Sequence, residues 1–326
     1  MDPNLGRVLV TGATGIVGWN LVNTLRERSH AVRVLVRDES RARAVLPDGV
    51  EYATGDVCDP GDVDRALDGC DTVFHAAGLP EQWLRDETRF EAVNAGGSRT
   101  LAAAALKAGV GAFVYTSTID IFEQEPGVPF DGSRLATEPL GTPYQRSKQL
   151  ADRVVVEAIE DGLPARFVHP SGVYGVSPAP PQGVNDFIKR AATNRVGGVP
   201  PGGMPVVYAR DLADGMIRTA GAPVGERYIF SDRYIAMREL ADLVCSLVPK
   251  ARRPLTMPVA VASSMSAASE LAAKVTHHAP LLPAGSLHFL ASHSMPDATR
   301  AREDLGWEPT PLRAALPAVI DHLRAA

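Results

Sequence analysis

Through the first half of the chain, short β-branched apolar runs alternate with segments whose apolar residues recur every three to four positions. The runs are Val8–Thr11, Ala31–Val36, Thr72–Ala76, Ala112–Ser117 and Ala165–His169. They show little polar alternation, which predicts strands buried on both faces, as in a parallel sheet. Between them Ile16–Arg28, Val63–Leu67, Phe90–Lys107 and Tyr144–Ile159 carry the helical period. Repeated strand–helix–strand units with right-handed crossovers make the expected fold class α/β, doubly wound.

Beyond Gly175 the pattern loosens. Ser177-Pro-Ala-Pro-Pro181 and Val199-Pro-Pro-Gly-Gly203 mark irregular segments around a short helix at Val184–Thr193. Short strands follow at Pro205–Tyr208 and Arg227–Phe230, with helices at Leu212–Ala220, Met237–Val248 and Ala260–Val275. The expected division is a domain over 1–175 and a smaller substrate-binding lobe over 176–326. The two are interleaved, with part of 205–232 returning to the first. No internal repeat is visible beyond the alternation itself.

Composition narrows the partners. The 326 residues are 45% hydrophobic and 22% charged, with 29 Gly and 26 Pro, a globular profile rather than a disordered or fibrous one. A net charge of −5 offers no positive field for a nucleic-acid backbone, so a small-molecule substrate is expected and no nucleic acid. Cys58, Cys70 and Cys245 form neither a disulfide framework nor a zinc site and are expected as reduced, mostly buried thiols. Met1–Arg7 carries Asp2 and lacks the pattern of an export signal, and the uncharged stretch Thr256–Ser269 is shorter than the roughly 20 residues of a bilayer span. A cytoplasmic protein with no integral membrane span is the expectation. His277, His278, His288 and His293 lack a helical pair backed by a carboxylate, so no metal is expected.

The first strand runs into Thr11-Gly-Ala-Thr-Gly-Ile-Val-Gly18. Gly12, Gly15 and Gly18 fall at intervals of three as a helix begins, and Thr14, Ile16 and Val17 lie between them. Such a turn brings backbone close to a pyrophosphate at a helix N-terminus, where unpaired N–H groups favour negative charge. At the end of the second strand Val36 occupies the place of the carboxylate that grips the ribose hydroxyls in NAD binders, and Arg37 follows it. A guanidinium there suits a 2′-phosphate, with Arg41 and Arg43 in the same loop, so NADP(H) is expected over NAD(H); the adjacent Asp38 pulls the other way. After a third strand, Asp56 in Gly55-Asp-Val57 is placed to accept from the adenine amino group or to cap its own turn. Tyr144 and Lys148 stand one turn apart on one helix face after Pro143. Upstream, Tyr115-Thr-Ser-Thr118 carries hydroxyls to the carboxyl edge of the sheet, where ligands of open α/β folds bind.

The glycine triplet, the strand-end hydroxyls and the Tyr-x-x-x-Lys helix, in that order, resemble the extended short-chain dehydrogenase/reductase superfamily. Val32-Arg-Val-Leu-Val-Arg-Asp38 and Gly69-Cys-Asp-Thr-Val-Phe-His-Ala-Ala77 look like its dihydroflavonol-reductase-like and 3β-hydroxysteroid-dehydrogenase-like branch, within the NAD-dependent epimerase/dehydratase family. The likeness spans most of residues 6–220 and returns at Ala301-Arg-Glu-Asp-Leu-Gly-Trp307. It implies a Rossmann-type domain, a catalytic hydroxyl at Thr118 with Ser117 beside it, and a catalytic pair at Tyr144 and Lys148. It further implies that Ala76 and Ala77 lie beside the cofactor, that Asn94 orders the structure or cofactor, that Pro170–Val173 lie near the nicotinamide, and that a homodimer forms through the two long helices. His169 and Gly172 stand where sugar-nucleotide enzymes read Arg and Asn, which counts against a sugar-nucleotide substrate.

The expected chemistry is hydride exchange between nicotinamide and a ketone or secondary alcohol of a fairly hydrophobic molecule, steroid-like, flavonoid-like or aryl. A free phenol near pKa 10 is a poor base at neutral pH, and the Lys148 ammonium favours the phenolate while holding the nicotinamide ribose. Gly78–Arg85, Asp120–Phe130 and 176–204 are expected to choose the substrate, with Trp83 and Phe122 as apolar wall. Two alternatives stand beside this reading. One is a nucleotide-sugar epimerase or dehydratase that retains NAD and holds a diphosphate with Lys189, Arg190 and Arg195; the other is a non-catalytic NADP(H) sensor.

Overall fold

The computed structural model describes residues 3–80, 83–276, 280 and 284–325. Its largest sheet is parallel throughout and has seven strands: β1 (Arg7–Thr11), β2 (Ala31–Val36), β3 (Glu51–Thr54), β4 (Thr72–His75), β5 (Ala112–Thr116), β7 (Ala165–Pro170) and β11 (Arg227–Phe230). The spatial order is β11-β7-β5-β4-β1-β2-β3. The chain moves outward from β1 to β3, then crosses to β4 and moves outward the other way. The carboxyl ends of β1 and β4 therefore flank the crevice at which such sheets bind ligands.

Every residue from Val8 to Thr11 of β1 is buried, with side chains alternating between two cores. Val8 and Val10 join Leu21 and Leu25 of α1 (Ile16–Glu27) and Leu212 and Met216 of α8 (Ala209–Thr219). Leu9 joins Val63 of α3 (Pro60–Leu67), Leu101 of α5 (Gly97–Ala108) and Val155 of α6 (Pro143–Glu160) on the opposite face. The start of α6 is written into its sequence. Thr142 accepts the Gln145 N–H, Gln145 returns the bond to Thr142, and Pro143 occupies the first helical position.

The segment Phe90–Lys107, expected as one helix, is broken. A short α4 (Thr88–Phe90) leads into a π-helical turn at Glu91–Gly96 before α5 begins. Such turns are rare and gather at functional sites; this one carries the buried Asn94. The edge strand β3 has no run of fully buried residues, and a short α2 (Glu39–Arg43) precedes it. Cys70 alone of the three cysteines is buried; Cys58 is exposed in the turn before α3 and Cys245 is half-buried.

The second lobe is built on β10 (Gly203–Tyr208), which pairs with β8 (Gly172–Tyr174) in parallel and with β12 (Arg233–Ala236) antiparallel. Short pairs join β6 (Pro129–Phe130) to β14 (Met295–Pro296) and β9 (Gly198–Val199) to β13 (Leu255–Thr256). A third core unites α7 (Gly183–Ala192), α9 (Met237–Leu247) and α13 (Leu312–Ala325) through Ile188, Leu240 and Leu316. α10 (Val259–Thr276) packs on α11 (Ala284–Ala291). After α12 (Thr299–Leu305), Trp307 returns to the first core, edge-on to Phe230 at 5.1 Å and donating to the Asp211 carbonyl at 2.8 Å. Among the described residues no helix is long and apolar enough to cross a membrane.

α8 approaches β11 so closely that a Cβ at Gly215 would stand 2.1 Å from the Phe230 ring. Gly215→Ala is expected to lower stability by about 1–3 kcal/mol in urea denaturation. Gly197→Ala, where nothing lies within 4 Å, should stay within about 0.5 kcal/mol. Equal effects at the two positions would contradict this packing.

Candidate active site at the carboxyl edge of the sheet

The turn between β1 and α1 is closed by sterics that only glycine satisfies. Gly12 has φ +71°, and a Cβ there would lie 2.5 Å from the Ala76 carbonyl oxygen. A Cβ at Gly18 would lie 2.3 Å from the Gly12 carbonyl, so α1 begins directly against the strand end. Gly15 is the N-cap, its N–H bonded to the Gly12 carbonyl at 3.0 Å. The N–H groups of the first turn, which includes Ile16 and Val17, have no acceptor within the helix; Thr14 is half-buried beside them. This cradle fits a dinucleotide pyrophosphate.

Around the expected adenosine site the side chains divide. Val36 is buried, and Arg37 and Arg41 are exposed. Arg43 is engaged elsewhere, paired with Glu39 and stacked 4.2 Å above the Tyr52 ring. The Asp38 carboxylate accepts the Arg41 N–H at 2.9 Å, capping α2. One Asp56 oxygen accepts the Cys58 N–H at 2.9 Å, capping its own turn, while Val57 is buried against Gly97.

A buried relay joins this turn to α6. The Ala77 N–H donates to Thr11 Oγ1, whose hydroxyl meets His75 Nδ1 at 2.8 Å; His75 Nε2 meets Ser98 Oγ at 3.0 Å. Ser98 donates to the Asn94 carbonyl, so the network assigns the proton to His75 Nε2. Burial, reinforced by the Lys148 charge, brings His75 down to about 3, and it is neutral. The Asn94 side chain accepts the Leu79 N–H at 2.7 Å and donates to Ser147 Oγ at 2.9 Å, and Ser147 donates to the Tyr144 carbonyl. Asn94 thus ties the exit of β4 to the first turn of α6.

At the end of β5 four successive polar atoms are each held by a different group. The Thr116 carbonyl accepts from Lys148 Nζ at 2.7 Å, and Ser117 Oγ donates to Asp152 at 3.2 Å. Thr118 Oγ1 donates to Asp120 at 3.2 Å, and the Thr118 carbonyl accepts from His169 Nδ1 at 3.1 Å. Lys148 is buried, its ammonium 4.6 Å from the Tyr115 ring centre; burial brings it down to about 8, while the Asp152 carboxylate pulls it up. Tyr144, on the same face of α6, is half-buried and edge-on to Phe90 at 6.4 Å. Pro170 is buried at the end of β7 and Val173 is half-buried in β8.

Several of these groups escape a reading of the sequence. Asp152 lies four residues after Lys148, so the helical period carried a signal for it. Arg227 comes from a strand 75 residues further on and carried none. Its guanidinium forks onto Asp152 at 2.8 and 3.0 Å, stacks 3.8 Å from the Phe167 ring and faces His169 Nε2 at 3.4 Å. Burial, with the Arg227 charge beside it, holds His169 well below the usual histidine range. Phe122 is not pocket wall: it is 2% exposed and packs on His169 at 4.6 Å, as core. Trp83 is half-buried. Arg190 pairs with Asp186 at 3.7 Å. His277 and His278 lie outside the described residues, and His293 bonds Tyr234 Oη at 3.1 Å. Among the described residues no cluster of His, Cys, Asp or Glu is placed to hold a metal.

The NAD dependent epimerase/dehydratase family matches residues 8–229. The chain is 29% identical to a putative dihydroflavonol 4-reductase of Synechocystis, over 94% of this chain and 91% of that protein. It is 32% identical to a 3β-hydroxysteroid dehydrogenase/Δ5→4-isomerase of Mycobacterium tuberculosis, over 95% and 88%. The solved structure of gox2253 superposes with a TM-score of 0.82 at 29% identity, covering 99% of this chain and 98% of that one.

Removing one member of a buried ion pair strands the other. Arg227→Met is expected to cost about 3–5 kcal/mol in denaturant unfolding, and adding Asp152→Asn to recover a large part of it. No recovery in the double variant would show that Arg227 acts through packing on Phe167 alone.

Proposed function

Since the chain belongs to the NAD dependent epimerase/dehydratase family and is a dehydrogenase/reductase of the extended short-chain type, we propose that it is an NADP-dependent oxidoreductase. Its substrate on this reading is the ketone or secondary alcohol of a fairly hydrophobic small molecule, with Tyr144 as the acid/base. The observation that carries the proposal is the buried ammonium of Lys148, which lies one helical turn from the half-buried Tyr144 and is bonded at the strand end that bears Ser117 and Thr118.

A bound NADP(H) supplies or takes up the hydride. For reduction the carbonyl π bond breaks as its carbon gains that hydride and its oxygen gains the Tyr144 proton. Thr118, with Ser117 beside it, offers a hydrogen bond to the oxygen as negative charge develops. Lys148 stabilises the phenolate left on Tyr144. The glycine turn of Gly12, Gly15 and Gly18, with Thr14, Ile16 and Val17, would hold the pyrophosphate. Arg37 would meet the 2′-phosphate, Asp56 and Val57 the adenine, and Ala76, Ala77, Pro170 and Val173 the nicotinamide half. The 176–326 lobe would close the substrate side, and a homodimer would form through α5 and α6. Relatives named for flavonol and steroid chemistry support an apolar substrate.

NADPH is expected to bind at least roughly tenfold, or about 1.4 kcal/mol, more tightly than NADH in fluorescence titration, and Arg37→Ala to erase most of that preference. Tyr144→Phe should lower kcat for ketone reduction by about a hundredfold or more while NADPH affinity stays within about threefold. Equal affinity for the two cofactors would refute the role of Arg37. Full turnover by Tyr144→Phe would refute that of the phenol.

A further inference from the structure

Asp120 is a buried carboxyl in the candidate site that the chemistry above does not use. It lies in the single turn Ile119–Ile121 that follows β5, 9% exposed. Among the described residues its hydrogen bonds are made with one group. Thr118 Oγ1 donates to Asp120 Oδ2 at 3.2 Å, and the Asp120 N–H donates back to Thr118 Oγ1 at 3.2 Å. The turn is fixed around them: His169 Nδ1 holds the Thr118 carbonyl, and Gln124 Nε2 holds the Ile119 carbonyl at 2.7 Å.

A hydroxyl has one proton and two lone pairs. In this arrangement the Thr118 proton is committed to Asp120 and one lone pair to the Asp120 N–H. What remains for a substrate oxygen is a lone pair, which repels the charge that develops there. The role given to Thr118 requires the opposite polarity. We propose that the Asp120 carboxyl sets the direction of the Thr118 hydrogen bond: ionised, it captures the Thr118 proton, and protonated, it donates to Thr118 Oγ1 and releases that proton to the substrate oxygen. Asp120 is then a positioning residue acting through Thr118. The inference rests on reading the site as a ketone reductase.

The surroundings suit a group that changes state near neutrality. Burial raises Asp120 to about 6, with the Thr118 bond pulling the other way. Four charged or titratable partners on the elements packed against it, or on the segment beside it, are engaged elsewhere: Lys148, the Asp152–Arg227 pair, His169 and Arg134. Lys148 of α6 holds the Thr116 carbonyl, and Asp152 of α6 is paired with Arg227 of β11. His169 of β7 is held well below its usual range, and Arg134 on the neighbouring segment pairs with Glu123. Tyr144 lies on α6, the helix that packs against this turn. Asp120 is therefore expected to bear its proton below about pH 6 and to lose it above.

The test is the pH dependence of kcat for ketone reduction at saturating NADPH between pH 5.5 and 7.5, a window over which most of Lys148 keeps its charge. The wild-type rate should fall about threefold or more across this window. Asp120→Asn keeps a donor to Thr118 at every pH and should be flat, at least matching the wild type at pH 7.5; Asp120→Ser should also be flat and serves if the Asn variant does not fold. A variant rate that tracks the wild-type slope, or that falls by one constant factor at all pH, overturns the proposal. A second readout needs no turnover. The infrared band of a protonated carboxylic acid should grow in as the unliganded protein is taken below about pH 6, vanish in Asp120→Asn and shift in Thr118→Val. A band that is absent, or unmoved in Thr118→Val, overturns the proposal whatever the enzyme does. No ketone turnover with the band and its shift intact overturns the reading of function instead.

Discussion

Lys148 carries its ammonium into a place where water does not solvate it, and the surrounding structure is arranged to make that tolerable. The Thr116 carbonyl accepts a hydrogen bond from it, and the Tyr115 ring lies beneath it. Asp152, one turn further along α6, supplies the opposing charge. A carboxylate as buried as Asp152 needs a partner of its own, and Arg227 reaches across from β11 to provide a two-pronged one. The cation therefore depends on a strand and a helix fixed relative to each other. A seven-stranded parallel sheet with helices on both faces meets that condition through rigid packing.

The same logic runs to the other side of the crevice. Thr11, His75, Ser98 and Asn94 form one chain of hydrogen bonds from the glycine turn to the first turn of α6. Each link is buried, and His75 takes part as a neutral ring because burial disfavours its charged form, the Lys148 charge adding to that. The π-helical turn at Glu91–Gly96 has a physical reason in this setting. It carries Asn94, whose amide spans the gap between Leu79 and Ser147. The two halves of the crevice are joined by polar side chains rather than by loose packing, which favours a fixed distance between the glycine turn and the first turn of α6.

Much of this was legible in the chain. The parallel strands have apolar runs because both faces are buried, and β2 and β11 span the residues the pattern marks. Gly12 and Gly18 stand out in sequence because backbone lies where a Cβ would be. Tyr144 and Lys148 announce themselves by helical spacing. The exposed edge strand β3 has weaker periodicity, and a π-helical turn has the same apolar content as the helix it interrupts. Arg227, His169 and His75 lie far from Lys148 in sequence and are brought near it only by strand order, so no local pattern ties them to it. Phe122 illustrates the reverse: an aromatic residue in a loop read as lining a pocket, whereas its ring packs on a buried imidazole. The chain after Gly175, rich in Pro and Gly, carries the least regular pattern, and its short strand pairs were least visible.

The buried ammonium is the quantity on which the site depends, and it can be titrated directly. With lysines isotopically labelled at Nζ or Cε and the Lys148 signal assigned by its loss in Lys148→Met, NMR should show a midpoint near 8 in the unliganded protein, as burial against the Asp152 charge requires. A midpoint at the ordinary lysine value of about 10.5 would mean that the ammonium is solvated, and the account of the site built on it would be wrong.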